Sequence, residues 1–298
     1  MKLTNRLNLP QPVVDAIANN TYDKGDADIS VSQLWQPAQI RELMAAHADV
    51  IEQDAADMIW ILFGECMHML LEKAGETNIE RITEKRIYVK HNGKVISGKP
   101  DTLCLVNNVL QDWKSTKTWS LIKGSREEDW LYQLNTYAWM LRRQPMPRHV
   151  AGIQAVAFLL DWSTLEQKRN PNYPPKAAMV VDIPLIPDEE MTRLIEARLA
   201  LLDRPADPCT PDEMWEKPPI FAIMKPGGTR AIKLADTEEE AAAWISYRGK
   251  PRENLYVEAR PTKRVRCESY CPVRDVCPQW EAFQEGKADI SPEKGGML

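Results

Sequence analysis

Two acids and an amine in this chain are spaced to meet on one surface. The runs Asp101-Thr-Leu-Cys-Leu-Val106 and Val109-Leu-Gln-Asp-Trp-Lys114 flank Asn107-Asn108, a pair that favours a tight hairpin turn. Reading the asparagines as a two-residue turn pairs Val106 with Val109, Leu103 with Asp112 and Asp101 with Lys114. Side chains alternate along a strand, so Asp112 and Lys114 share one face and Trp113 takes the other. Cross-strand Cβ atoms lie about 5 Å apart directly and about 7 Å apart on the diagonal. Asp101, Asp112 and Lys114 therefore converge on a patch suited to a divalent cation with a positive charge beside it. The plain alternative is a salt bridge on a half-exposed sheet, a common arrangement that contributes little.

Other polar residues sit on elements that could flank this patch. His68 falls in a helical pattern from about Gln53 to Lys73, ended by Gly75, whose apolar positions Met58, Ile59, Leu62, Phe63, Met69 and Leu70 predict a broad buried face. Gly64, four residues before His68, leaves room beside it, although a core histidine bonded to a carbonyl is the ordinary reading. A helix from about Glu127 to Arg143 is acidic at its start, basic at its end and closed by Pro145. It carries Gln133 and Tyr137 four apart on one face, which in isolation would be an ordinary polar edge.

The remaining pattern supplies the frame. Ser30-Val-Ser32 precedes a helix containing Ile40, Leu43 and Met44. Arg86 to Lys90, the turn His91-Asn92-Gly93 and Lys94 to Ser97 read as a hairpin, and Gly152 to Leu160 as a buried strand. A strand over Ala178 to Leu185 and helices over Glu189 to Leu202 and Glu238 to Tyr247 follow. This order predicts an α/β fold on one mixed sheet flanked by helices. The expected organisation is a polar segment over 1–29, a core over 30–204, a lobe over 205–285 and a flexible tail over 286–298. A proline-rich connector (Pro205, Pro208, Pro211, Pro218, Pro219) lies between core and lobe.

Taken in order, His68, Gly98-Lys-Pro-Asp101, Asp112-Trp-Lys114 and Gln133-Leu-Asn-Thr-Tyr137 fall on helix, strand, strand and helix. The series resembles the PD-(D/E)xK nuclease superfamily, specifically its RecB-like exonuclease branch, which includes CRISPR-adaptation nucleases and phage-encoded relatives. The resemblance covers roughly residues 30 to 160 plus the late cysteines, and implies a restriction-endonuclease-like core with a C-terminal cysteine-bearing lobe. It implies Asp101 and Asp112 as metal-binding carboxylates, His68 as a further ligand and the Trp113 carbonyl as a completing one. Such hard ligands suit Mg²⁺ or Mn²⁺. Lys114 would orient the attacking water and offset transition-state charge. Gln133 and Tyr137 match a QxxxY motif that supports the site and contacts the DNA strand.

The six cysteines are too sparse for a disulfide scaffold. Cys267, Cys271 and Cys277 nevertheless cluster, which in a reducing compartment suggests metal before disulfide. They resemble the C-terminal cysteines of iron–sulfur members of the branch, where three late cysteines join one early cysteine around a [4Fe–4S] cluster. The early cysteine would fall near Ser32-Gln-Leu-Trp-Gln-Pro37, which has none. Cys66 and Cys104 are expected to pack into the core, leaving Cys209, a histidine or water as the fourth ligand. Zinc, or thiols left without metal, stay open as alternatives.

Composition bounds the rest. In 298 residues, 44% hydrophobic and 27% charged content excludes wholesale disorder. The longest apolar runs, Ile59 to Phe63 and Ala155 to Leu160, are too short to span a bilayer, and Met1 to Arg6 lacks a signal-peptide stretch. A net charge of −5 does not advertise a nucleic-acid binder, but Lys117, Lys123 and Arg126 after the second strand, and Arg264 and Arg266 before the cysteines, form local basic stretches. Trp119 could stack on bases there. No phosphate loop of an ATP motor occurs, so processive duplex degradation would need a helicase or recombination protein in trans. The reading is a cytoplasmic, metal-dependent DNA exonuclease of a bacterial or phage-infected cell, acting on single strands or duplex ends without a membrane. A structure-selective endonuclease or nickase, a non-catalytic DNA-binding accessory protein and a zinc-stabilised interaction module are the rivals.

Overall fold

The computed structural model describes residues 2–19, 24–124, 127–247 and 255–290. The chain divides into two compact units, one of residues 1–41 and 52–206, the other of residues 42–51 and 207–298. Among the described residues no helix is long and apolar enough to cross a membrane.

The first unit runs β1 (Lys2–Thr4), α1 (Gln11–Asn19), β2 (Ile29–Ser30), α2 (Val31–Leu34), α3 (Ala38–Ala46, which the unit boundary divides), β3 (Glu52–Asp54) and α4 (Ile59–Gly75). It continues with β4 (Arg81–Thr83), β5 (Ile87–His91), β6 (Lys94–Gly98), β7 (Thr102–Cys104), β8 (Val109–Thr116), α5 (Thr118–Ile122) and α6 (Glu127–Arg142). β9 (Gly152–Leu159), α7 (Thr164–Arg169), β10 (Ala178–Ile183) and α8 (Asp188–Ala200) complete it. A five-stranded mixed sheet has the order β10-β9-β8-β7-β4, with β8 and β9 parallel and the other neighbours antiparallel.

Packing explains why α6 is the helix against which the sheet closes. Nine of its 16 residues are buried, among them Leu134, Trp139 and Met140. They join Leu110 of β8 and Ile153, Ala155 and Ala157 of β9 in one apolar cluster with Met191, Ile195 and Leu199 of α8. Polar latches set its position. The buried Asn135 donates to the carbonyls of Leu131 and Pro184 and accepts the Ile186 N–H. Thr136 accepts from the Trp35 indole at 2.8 Å, and Arg143 grips Asp188 at the start of α8 with two hydrogen bonds of 2.9 and 2.6 Å.

Several expectations are corrected. The β5–β6 hairpin forms with Asn92 and Gly93 at φ 47° and 76°, the left-handed pair of a tight turn. It does not join the large sheet. It pairs with β2 in a separate three-stranded sheet, because Pro100, lacking an N–H, separates β6 from β7. The next turn takes four residues, 105–108, with Asn108 at φ 56°. Thr102 consequently faces Gln111 and Leu103 faces Leu110, two residues out of the expected register. A slip of two preserves every side chain's face, where a slip of one would have reversed it.

The leading helix breaks at Pro37 into α2 and α3, the first closed by a Ser30–Gln33 capping box. Residues 53–54 belong to β3, which pairs in parallel with β1. α4 lacks the expected buried face: Phe63, Met69 and Leu70 are exposed, as is Cys66. Only Gly75 is buried, because α4 meets β8 narrowly, with space for a Gly64 Cβ 3.9 Å from the Ser115 hydroxyl.

The second unit contains β11 (Glu216–Lys217), β12 (Ile220–Met224), β13 (Lys233–Ala235), α9 (Glu238–Tyr247), β14 (Tyr256–Arg260), β15 (Lys263–Arg264), α10 (Val265–Ser269) and α11 (Pro278–Ile290). β13-β12-β14 form one antiparallel sheet, and β11 pairs with β15. α11 extends past Gly286, where the tail was expected to begin; residues 291–298 lie outside the described residues.

One glycine tests this packing. A Cβ on Gly98 would meet the Tyr137 ring and the Met140 sulfur at 3.0 Å, whereas on Gly152 it would meet only Val109 at an ordinary 3.7 Å. Gly98→Ala should therefore cost about 1–3 kcal/mol in urea-unfolding stability by overpacking, and Gly152→Ala should be nearly neutral.

Candidate active site

Three ligand-bearing side chains meet between α4, β4, β5 and β7. His68 projects from α4, Glu84 from the link between β4 and β5, and Asp101 from the residue before β7. One ligand atom from each lies within 4.8 Å of the others. His68 Nδ1 is 3.2 Å from Glu84 Oε1 and 3.3 Å from Asp101 Oδ1. Glu84 reaches this point through a left-handed backbone, φ 50°, and its N–H donates to the Asp101 carbonyl at 2.9 Å. That conformation costs roughly 1–3 kcal/mol for a non-glycine residue, a strain that recurs at functional sites. Lys99 Nζ binds the other Glu84 oxygen at 2.7 Å.

Asp101 couples this cluster to the second strand. Its Oδ2 accepts the Trp113 backbone N–H at 2.6 Å, so the carboxylate bridges His68 and β8. Asp112 is buried, with Oδ2 2.6 Å from Lys114 Nζ. The Lys114 ammonium is thus the charge that compensates this buried oxygen. Lys114 donates to Gln133 Oε1 at 2.8 Å, and Gln133 Nε2 donates to the Tyr137 hydroxyl at 3.3 Å. Asp112 and Lys114 have Ala155 and Ala157 of β9 as strand partners, small side chains that leave the polar chain room.

Burial and charge set the protonation states. Burial pushes the Asp112 carboxyl up to about 6, reinforced by the negative charge of Asp101 and opposed by the Lys114 and His68 charges. For His68, burial disfavours the cation, but hydrogen bonds and charge from Asp101 and Glu84 outweigh it and raise the imidazole to about 10. Burial would raise Glu84, yet His68 and Lys99 hold it below the usual carboxylate range. In the chain alone, His68 is therefore the imidazolium that neutralises the cluster, and it must release a proton to act as a ligand. Two carboxylates and one imidazole are a donor set that fits a divalent cation of the Mg²⁺ or Mn²⁺ class.

The structure brings together His68, Asp101, Asp112, Lys114, Gln133 and Tyr137, linked through the Trp113 N–H and the Lys114 ammonium. Glu84 and Lys99 complete the set. Glu84 lies in the polar Thr83-Glu-Lys85 link, where no periodicity marks it; the sole signal is an acid between two strands. Lys117 and Lys123 bracket α5 and are exposed, and Trp119 between them is 46% exposed. Arg126 lies outside the described residues. Arg264 and Arg266 are in the second unit: Arg264 binds Glu216 at 2.8 Å and lies over the Phe283 ring, and Arg266 binds the Glu213 carbonyl and lies over Trp215. Cys267, Cys271 and Cys277 are there too.

A helix-flanked mixed sheet carrying an acidic metal cluster beside an Asp-x-Lys strand is the architecture of a metal-dependent nuclease. The chain belongs to the PD-(D/E)XK nuclease superfamily, whose sequence profile matches residues 2–278. Among solved structures it is similar to SSO0001, at 16% identity and TM-score 0.45, over 65% of this chain and 86% of that one. It is also similar to a phage-related exonuclease from Haemophilus somnus 129PT, at 14% identity and TM-score 0.31, over 48% and 68%. No curated protein matches the chain.

The raised His68 pKa sets the sign of a pH effect. Its contribution to stability is complete below the ordinary imidazole value of 6.5 and is lost as pH climbs towards about 10. In EDTA, the urea midpoint of the wild-type chain should fall between pH 6.5 and 9.5, and that of His68→Asn should fall less. Equal slopes for both chains would remove His68 from the charged cluster.

Proposed function

We propose that this chain is a Mg²⁺- or Mn²⁺-dependent DNA exonuclease of the RecB-like branch, acting on single strands or duplex ends. The observation that carries the reading is the continuity from the His68–Glu84–Asp101 cluster through Asp112 and Lys114 to Gln133 and Tyr137. A salt bridge on a sheet surface needs none of the buried acids on either side of it. The exposed Lys117, Lys123 and Trp119 beyond β8 supply charge and a stacking surface for a single strand. The enzyme would work on opened DNA or beside a helicase in a cytoplasm that keeps its thiols reduced. The late cysteines, Cys267, Cys271 and Cys277, would hold an iron–sulfur cluster in the second unit.

The chemistry is phosphodiester hydrolysis. His68, Glu84, Asp101 and Asp112 would hold a divalent cation, whose chemistry there would be to acidify a water and offset phosphate charge. Asp101, pinned by the Trp113 N–H, keeps one oxygen aimed at the cluster. Lys114, steered by Asp112 and Gln133, offers its ammonium to the attacking water and to the charge that develops on phosphorus. Gln133 is itself held by Tyr137, so the lysine's position depends on α6.

The test is degradation of end-labelled linear single- and double-stranded DNA and of closed circles, with Mg²⁺ and Mn²⁺ titrated. Linear substrates should be shortened from their ends while circles persist; equal loss of circles would establish the endonuclease. Asp112→Asn and Lys114→Met should each lower kcat about 10²–10³-fold with smaller effects on DNA affinity. Undiminished cleavage by both variants would overturn the catalytic assignment.

A further inference from the structure

The second unit holds four cysteines. Among the described residues, one apolar cluster between them contains the buried Ile223, Ala235 and Ala241, packed by Phe221, Trp244, Ile245, Leu255 and Val257. Small natural domains often add a metal or disulfides to such a core as a staple. None of the cysteines is in a disulfide.

Hydrogen bonds draw the chain before this small sheet against the chain after it. Gln279, two residues past Cys277, clamps the backbone of Cys209 from both sides: Cys209 N–H donates to Gln279 Oε1 at 3.0 Å, and Gln279 Nε2 donates to the Cys209 carbonyl at 2.9 Å. Arg266, beside Cys267, donates its N–H to the Met214 carbonyl at 3.1 Å and its guanidinium to the Glu213 carbonyl at 2.8 Å. β11 and β15 pair Glu216 with Arg264 and Lys217 with Lys263. Cys271 is turned by the Arg274 N–H donating to its carbonyl, and Cys277 starts α11 by accepting from Trp280 and Glu281. The outcome is that the Cys209 thiol lies close enough to Cys267, Cys271 and Cys277 to feel the charge of each.

We propose that Cys209 supplies the fourth thiolate of a [4Fe–4S] site completed by Cys267, Cys271 and Cys277, built wholly within residues 207–298. The inference rests on the reading of the late cysteines as a cluster site and adds to it the missing ligand, from a position after the nuclease motifs rather than before them. One feature favours a cubane over a single zinc ion. Four thiolates on one zinc, with Zn–S bonds of about 2.3 Å, must crowd to within about 4 Å of one another. Among the described residues, no three of these thiols come within 4.8 Å of one another, whereas a cubane takes one thiolate at each iron corner. The surroundings also suit an anionic cluster: Arg264 acts on the Cys267 thiol, and Arg266 and Arg274 act on Cys271. The cluster would then clasp the base of the β12–β13–β14 sheet and α9, joining the chain that enters that element to the chain that leaves it.

The full chain, purified without oxygen, should be brown and carry about four irons and four acid-labile sulfides. Cys209→Ser should lose at least half of the iron and sulfide, while Cys104→Ser keeps both. Should Cys209→Ser fail to fold, the wild-type chain answers the same question by alkylation and mass mapping. Cys66, exposed, should react at once, whereas Cys209 should be protected with the three late cysteines and be released together with them when iron is chelated. Full iron in Cys209→Ser, or early alkylation of Cys209 in the iron-loaded chain, would remove Cys209 as a ligand and leave the cluster reading standing. Wild-type chain with no iron, or with stoichiometric zinc, would remove the cluster itself. Nuclease activity of Asp112→Asn, assayed separately, is independent of all these outcomes.

Discussion

Three carboxylates buried in one place constrain everything around them. Glu84, Asp101 and Asp112 have side chains only 4%, 7% and 4% exposed, a placement that is costly unless each charge is compensated. Compensation comes from three cations on three different segments: His68 on α4, Lys99 between β6 and β7, and Lys114 on β8. The site is thus a balanced ionic network whose members are recruited from distant parts of the chain. A divalent cation would fit it by taking the place of the imidazolium proton in that balance. The same need accounts for the backbone of Glu84, whose left-handed conformation turns its carboxylate towards His68 and Lys99.

The network is made precise by hydrogen bonds to uncharged partners. Asp101 is oriented by a backbone N–H, which cannot rotate away, and Lys114 by an amide that a phenol holds in turn. Behind them, Asn135 and Thr136 tie α6 to the loop before α8 and to Trp35. Polar residues in the Gln133-Leu-Asn-Thr-Tyr137 run therefore divide their labour: two face the site, and two fasten the helix that carries it.

Much of this was legible because strand faces depend on parity. The turn between β7 and β8 is twice the expected length, yet the register moved by two, and Asp101, Asp112 and Lys114 kept their common side. Local punctuation also read true: Asn92-Gly93 made a turn, and the acidic start and Pro145 bracketed α6. Long-range partnership was less visible. Nothing in Thr83-Glu-Lys85 says that this acid folds back on Asp101, and hydropathy alone made α4 a core helix although Phe63, Met69 and Leu70 face water. Apolar content reports what a helix could bury, and the breadth of the surface offered to it decides what is buried. The pairings of β11 with β15 and of β12 with β14 escaped notice for a related reason, since they depend on contacts across dozens of residues rather than on a strong local pattern.

The parallel alignment of β8 with β9 carries a consequence for how the molecule comes into being. Parallel neighbours cannot be joined by a tight bend; the polypeptide must travel back along the sheet first, and here α6 makes that return journey. Asp112 and Lys114 stand on the outbound strand, Gln133 and Tyr137 on the returning helix. Docking of this single β-α-β unit is thus what sets the lysine beside its support.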